Sequence, residues 1–186
     1  HFGTYGTACI DTSNGNILWA RRDLKCDHEN GAGPASSPFL FNDYIIFNVD
    51  GRDVQYVIAL DKKSGKTAWK TNRSIDFSNV QVNQRKAYGT PLIIPRGEEK
   101  QMVSIGAKGV FSYDPKNGKE LWKARHRGWS IAPRPVYGQG LVFTVIDRDR
   151  PELWAIKPDG DSDITDSHVV WKSSKRMPPR ASPLIV

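Results

Sequence analysis

An Asp…Gly…Trp frame recurs at nearly constant intervals along the 186 residues of the sequence. The copies that keep all three residues are Asp11, Gly15 and Trp19; Asp61, Gly65 and Trp69; and Asp114, Gly118 and Trp122. A fourth tryptophan, Trp171, follows the related stretch that runs from Trp154 to Lys157, with a longer turn between them. Successive tryptophans lie 50, 53 and 49 residues apart. A period of this length indicates one supersecondary unit that stacks against copies of itself.

Each repeat has the composition of a β-meander. Its apolar stretches are short and rich in Ile, Val, Phe and Tyr, and turn-forming pairs such as Asn-Asp and Ser-Gly separate them. No segment keeps a 3.6-residue apolar period, so strands joined by tight turns are predicted. The predicted strands are 36–41, 44–49, 54–60 and 66–71; 89–95, 101–106, 110–114 and 119–124; and 132–137, 141–146, 152–157 and 169–173.

A four-stranded sheet of this kind is marginal alone, and stacking copies around an axis buries both of its faces. In the repeated frame, Asp can bond the N–H groups of the turn and Gly can supply a positive φ. The Trp then lies on the outermost strand, where its ring can pack against the neighbouring sheet. The predicted fold is an all-β β-propeller fragment; the alternative is a sandwich with coincidental tryptophans.

The repeat boundaries predict one propeller segment over 1–186, with about three complete four-stranded antiparallel blades and parts of two more. The complete blades are 35–73, 88–125 and 131–173; residues 1–22 end one further blade and 180–186 begin another. Closing these pieces into a four-bladed ring would leave an innermost strand without a partner, which is costly. We therefore expect a larger ring, of seven or eight blades.

The frame also carries a small residue two positions before the Asp, namely Cys9, Ala59 or Ser112. With this addition it resembles the tryptophan-docking motif of the PQQ-like repeat, A-x-D-x-x-T-G-x-x-x-W, in the quinoprotein alcohol dehydrogenase-like superfamily. The copy IALDKKSGKTAW differs only in having Ser64 in place of Thr. The stretches KCDHENGAGPASSP and VIALDKKSGKTAWKTNR also resemble those of secreted or periplasmic bacterial proteins with this repeat. This resemblance implies a periplasmic or extracellular location.

The net charge of +7 is concentrated between the blades. The predicted connectors 20–35, 70–88, 123–132 and 172–180 contain 14 Lys and Arg residues and four Asp and Glu residues. In an up-and-down propeller these connectors emerge on one face beside the central channel, where they would attract anionic ligands or surfaces. The alternative is that Lys and Arg only solubilise the chain and protect strand edges.

The basic residues that do not follow the repeat are the better candidates for binding. The predicted binding residues on this face are Arg85, Lys86, Arg127, Arg134, Cys26, His28 and Trp129. The expected partner is a protein, or an anionic glycan or other envelope component. Nucleic acid is not expected, because the basic residues belong to no recognised module. The chain contains no apolar stretch long enough for a transmembrane segment.

Two further clusters are weighed as metal sites, and neither is predicted to be one. Cys26 and His28 could hold a soft metal, or the imidazole could lower the thiol pKa, but two ligands do not complete a zinc site. A disulfide between Cys9 and Cys26 is not expected, since the strand between them runs away from the connector. Asp159, Asp161, Asp163 and Asp166 have the spacing of a calcium loop. Ile164 stands where that loop needs Gly, so a solvated acidic turn is expected.

The predicted function is that of a non-catalytic binding or scaffold module that uses its basic face, with no cofactor. The alternative is part of a PQQ- and calcium-dependent dehydrogenase. The resemblance implies that such enzymes hold the quinone in the channel against Ca²⁺. No residue of this chain can be matched to the calcium ligands or catalytic Asp of those enzymes, and it has no adjacent cysteine pair.

Overall fold

The computed structural model describes residues 1–29, 33 and 36–186. Residue 35, the predicted start of the first complete blade, lies outside this part of the chain. The strands are β1 Thr7–Ile10, β2 Ile17–Arg21, β3 Phe39–Phe41, β4 Tyr44–Asp50, β5 Gln55–Asp61, β6 Thr67–Asn72, β7 Leu92–Arg96, β8 Glu99–Gly106, β9 Gly109–Tyr113, β10 Glu120–Arg125, β11 Val136–Gly138, β12 Leu141–Ile146, β13 Glu152–Ile156, β14 Ser162–Asp163 and β15 Val169–Ser173. Short 3-10 turns occur at Gly3–Tyr5 and Val82–Gln84.

The strands form separate sheets in chain order. Blade A is the pair β1-β2, blade B is β3-β4-β5-β6, blade C is β7-β8-β9-β10, and blade D is β11-β12-β13-β15. Neighbouring strands within each blade are antiparallel. This arrangement confirms the prediction of an all-β propeller fragment. The predicted ring of seven or eight blades stays a prediction.

The innermost strands begin later than predicted: at Phe39 instead of 36, at Leu92 instead of 89, and at Val136 instead of 132. A proline precedes each of them, and proline has no N–H for a strand ladder. Two of the residues before these prolines instead donate their backbone N–H groups to hydroxyl groups of the next blade. The backbone N–H of Ser37 donates to Thr90 Oγ1, and that of Arg134 donates to Ser182 Oγ, each at 3.0 Å.

The apolar core lies in the layers between adjacent blades. Trp69 of blade B packs in one cluster with Phe111 and Tyr113 of blade C. Trp122 of blade C packs in another with Trp154 of blade D, and Trp122 is completely buried. Since apolar burial is the main favourable term in folding, each blade depends on its neighbours for stability.

The turn between β13 and β15 is not only the solvated loop that the sequence predicted. Its strand β14 pairs in parallel with the outer edge of β10, so that Trp122 faces Ser162 and Lys123 faces Asp163. The four aspartates of the turn are exposed, as expected, but Ile164 is 1% exposed and belongs to the core between blades C and D. Ile164 is buried because the longer turn reaches the preceding blade and covers an apolar residue there.

Candidate functional site

The residues of the repeated frame contact one another across blades. The indole N–H of Trp19 donates to Lys62 O at 3.0 Å, and that of Trp69 donates to Pro115 O at 3.2 Å. Each acceptor directly follows the Asp of the next copy. A Cβ on Gly65, whose φ is +69°, would lie 2.6 Å from the Trp19 ring. The Gly therefore provides both the turn conformation and the space for the preceding tryptophan.

The aspartates of the frame hold the turns. Asp61 Oδ1 accepts the hydroxyl of Ser64 at 2.6 Å and its backbone N–H at 2.7 Å. These bonds, the hydroxyl first, hold the pKa of Asp61 below its ordinary value. Asp11 and Asp114 also accept a backbone N–H of their own turns, from the residue two positions later. In all three copies the Asp carboxylate therefore accepts hydrogen bonds from its own turn.

The connectors between blades lie beside the hairpins that join the second and third strands of each blade. The backbone N–H of Arg52 donates to Asp27 O at 2.8 Å, and that of Lys108 donates to Gly128 O at 3.0 Å. We define the connector face as the described residues of 22–38, 73–91, 126–135 and 174–186 together with the hairpins 51–54, 107–108 and 147–151.

Part of the positive charge of the connectors is neutralised internally. Ion pairs join Asp23 to Arg21 at 2.7 Å, Asp27 to Arg52 at 2.7 Å and Glu29 to Lys86 at 3.1 Å. Arg73 is fully buried and pairs with buried Asp50 at 2.8 Å. Burial opposes the charge of Arg73, yet the Asp50 carboxylate outweighs it and holds the pKa of Arg73 above its ordinary value.

The four basic residues singled out from the sequence have different environments. Arg85 is half-buried and its Nε donates to Val80 O, while Lys86 is 3% exposed and paired. Arg127 is exposed but pairs with Glu152 at 3.1 Å. Of the four, only Arg134 is both exposed and without an ion pair in the described part of the chain.

Arg134 is one of several basic side chains on the connector face that are available to a ligand. Those that are exposed and make no ion pair with another described residue are Arg22, Lys25, Arg134, Arg150, Lys175, Arg176 and Arg180. Three carboxylates of the same face also make no ion pair with another described residue: Asp53, Asp76 and Asp147. The unpaired charge of this face is therefore predominantly positive.

Cys26 and His28 are internal rather than presented on the surface. Cys26 is a free thiol that is 5% exposed, and burial, followed by the nearby Asp53 carboxylate, raises its pKa to about 12. Such a thiol is not a reactive thiolate. His28 is 6% exposed with its ring 5.4 Å from Tyr88, and burial, followed by Lys86, lowers its pKa. Cys9 is also free, so the two cysteines form no disulfide.

Trp129 is half-buried where two connectors meet a hairpin. Lys86 Nζ lies 6.0 Å and Arg148 Cζ 5.6 Å from the centre of its ring, distances at which a cation is attracted to an aromatic face. Trp129 also lines a cavity of about 200 Å³ with Arg127, Asp147 and three further residues. The contribution of Arg148 was missed in the sequence because only connectors were counted, although hairpin 147–151 emerges on the same face.

Neither a metal site nor a membrane span is found within the part of the chain that the structure describes. No group of three or more His, Cys, Asp and Glu side chains there could hold a metal ion. No helix among the described residues has the length and apolar character to cross a membrane.

Comparison with known proteins places this fold in a family. Residues 55–185 match the family model described as outer membrane protein assembly factor BamB. Curated proteins offer no match. BamB from Moraxella catarrhalis superposes with a TM-score of 0.67 at 12% identity, over 92% of this chain and 47% of that one. A europium-containing methanol dehydrogenase superposes with a TM-score of 0.54 at 16% identity, over 81% of this chain and 27% of that one.

This chain thus spans about half the length of the Moraxella protein and about a quarter of the dehydrogenase. At these identities the two structures are evidence for the fold alone. The family model, in contrast, covers more than half of the sequence. The chain belongs to the PQQ-repeat family whose model is described as outer membrane protein assembly factor BamB.

Proposed function

We propose that this chain is part of a non-catalytic propeller that binds a protein partner through the connector face. The observation that carries the proposal is the set of exposed basic side chains there that have no carboxylate partner among the described residues. Charge of one sign on an interface steers association with a partner of the opposite sign. The partner would present an acidic surface, in the periplasm or outside the cell.

The family supports a protein partner over an anionic glycan. The matched family model is described as an outer membrane protein assembly factor, and the superposed Moraxella protein shares its name, BamB. An assembly factor for proteins acts on protein partners. The connector face also offers Trp129 beside Lys86 and Arg148, and aromatic residues with arginine are enriched at the centres of protein interfaces.

The experiment compares two charge-reversal variants of equal size. Arg134→Glu with Arg176→Glu changes the connector face, and Lys100→Glu with Lys119→Glu changes exposed lysines at the opposite end of the blades. Proteins captured from an envelope extract at low salt are identified by mass spectrometry. The first variant should lose a partner that the second keeps, and high salt should weaken capture by the wild type. Equal loss in both variants would refute a specific connector face.

The second candidate is a segment of a PQQ- and calcium-dependent dehydrogenase, since a methanol dehydrogenase, one that contains europium, shares this fold. Its test is dye reduction by the complete protein with alcohols after addition of PQQ and Ca²⁺. Turnover that depends on both additions would replace the scaffold proposal.

A further inference from the structure

The chain shows on its own blade C how an outer edge accepts an added strand. Strand β14 lies parallel to β10, and the N–H of Ile164 donates to Lys123 O at 2.8 Å. The N–H of Arg125 donates to the Thr165 hydroxyl, also at 2.8 Å. The backbone groups of Lys123 and Arg125 therefore point away from the blade and are satisfied by a segment from outside it.

Acidic side chains accompany this added strand. Arg125 pairs with Asp163 at 2.8 Å, and Arg96 of the same blade pairs with Asp161 at 2.8 Å. The added segment thus combines backbone pairing with ion pairs to the blade that receives it. These are the elements of recognition by strand addition, in which backbone bonds supply affinity and side chains supply specificity.

The outer edge of β6 in blade B has the same register but no added strand. Trp69 faces Ala59 in blade B as Trp122 faces Ser112 in blade C. Lys70 is therefore the counterpart of Lys123, and its backbone groups face away from β5. Among the described residues, no strand pairs with this edge of β6.

The charge around this edge is also suited to an acidic segment. Lys63, Lys66 and Lys70 are exposed and make no ion pair with the described residues. Lysines on an edge strand can also serve to discourage unwanted pairing. The pairing of an acidic strand with the equivalent edge of blade C argues that basic residues at this position accept a strand rather than repel one.

We propose that the outer edge of β6 binds an extended acidic segment of a partner protein as an added parallel strand. At one end this edge borders the connector face, where Lys70 and Asn72 line a cavity with Asp53 and Asp76. The proposal rests on the backbone of β6 and does not depend on the proposed function.

The probe is a synthetic peptide with the sequence of residues 158–167, PDGDSDITDS, labelled for fluorescence anisotropy. We expect binding at low salt, with slower hydrogen exchange of the amides of 68–72. Lys70→Pro removes the outward N–H, and proline is tolerated on an edge strand. It should weaken binding about fivefold to tenfold, the effect of one lost backbone bond. Lys70→Gln keeps the N–H and should weaken binding less.

Several outcomes would overturn the proposal. These are no binding by the wild type, equal affinity of the wild type and Lys70→Pro, or protection that appears at β10 or β15 instead of β6. If Lys70→Pro fails to fold, the exchange map of the wild-type chain still decides between these edges. A peptide in which every Asp is Asn should bind more weakly, and unchanged affinity would refute the acidic specificity.

Discussion

The indole N–H of Trp122 donates to the side-chain oxygen of Gln101 at 2.8 Å, within its own blade. Trp19 and Trp69 instead donate directly to a carbonyl of the next blade. Gln101 completes the connection, because its Nε2 donates to Pro158 O at 2.8 Å. Lys157 occupies the Asp position of the fourth copy, so Pro158 corresponds to Lys62, which follows Asp61. Trp122 therefore reaches the equivalent carbonyl of the next blade through the side-chain amide of Gln101.

Gln101→Leu should destabilise the chain strongly. Gln101 is 1% exposed, and its oxygen also accepts the Ser112 hydroxyl at 2.7 Å. A leucine would leave the Trp122 N–H, the hydroxyl and a carbonyl without partners, at a cost of about 2–4 kcal/mol in the free energy of unfolding. Urea denaturation measures this cost. The control Gln81→Leu, at an exposed site, should stay within about 0.5 kcal/mol; similar values for both variants would contradict the role of Gln101.

Gly118→Ala should cost more than Gly140→Ala, although both glycines have φ of +75°. A Cβ on Gly118 would overlap the Trp69 ring, whereas one on Gly140 meets nothing within 4 Å. Gly140→Ala therefore measures backbone strain alone, about 1–2 kcal/mol. Gly118→Ala adds about 1–3 kcal/mol of overpacking. Thermal unfolding of the two variants gives the difference, and equal values would mean that the tryptophan contact does not require glycine.

The repeats made the blades predictable, because Asp61, Gly65 and Trp69 act locally and across one neighbouring turn. Contacts without a counterpart in the repeat were not predictable. Nothing in the sequence marks Gln101 as the partner of Trp122, and Lys86 is buried because Glu29, 57 residues away, neutralises it. Counting charges along the connectors therefore overestimated how many are available to a ligand.

Arg73→Met should destabilise the chain by about 3–5 kcal/mol, because it leaves the buried Asp50 carboxylate without its counter-charge. Arg73 also donates to the Tyr113 hydroxyl of blade C at 3.3 Å, so the pair joins two blades. The double variant Arg73→Met with Asp50→Leu should recover part of this loss in chemical denaturation. The exposed pair of Lys62 and Asp43 provides the control, and Lys62→Met should cost about 0–1 kcal/mol. A double variant no more stable than the single would argue against an unpaired charge as the cause.

Stability should fall as the pH is lowered below 6.5, and His126 should account for much of the change. The His126 ring is buried with its Nδ1 accepting the N–H of Gly128 at 3.0 Å, and burial, followed by Lys108, lowers its pKa to about 3. Its pKa in the unfolded chain is 6.5, so between these values the unfolded state binds the proton and the folded state does not. The contribution is complete above pH 6.5 and is lost as the pH falls towards 3.

Between pH 7 and pH 5 this single group should remove about 2 kcal/mol from the free energy of unfolding. His126→Asn keeps an acceptor for Gly128 but does not titrate, so its stability should depend less on pH over that range. Urea denaturation at several pH values compares the two proteins. A slope for His126→Asn equal to that of the wild type would show that burial of this imidazole does not set the acid sensitivity of the fold.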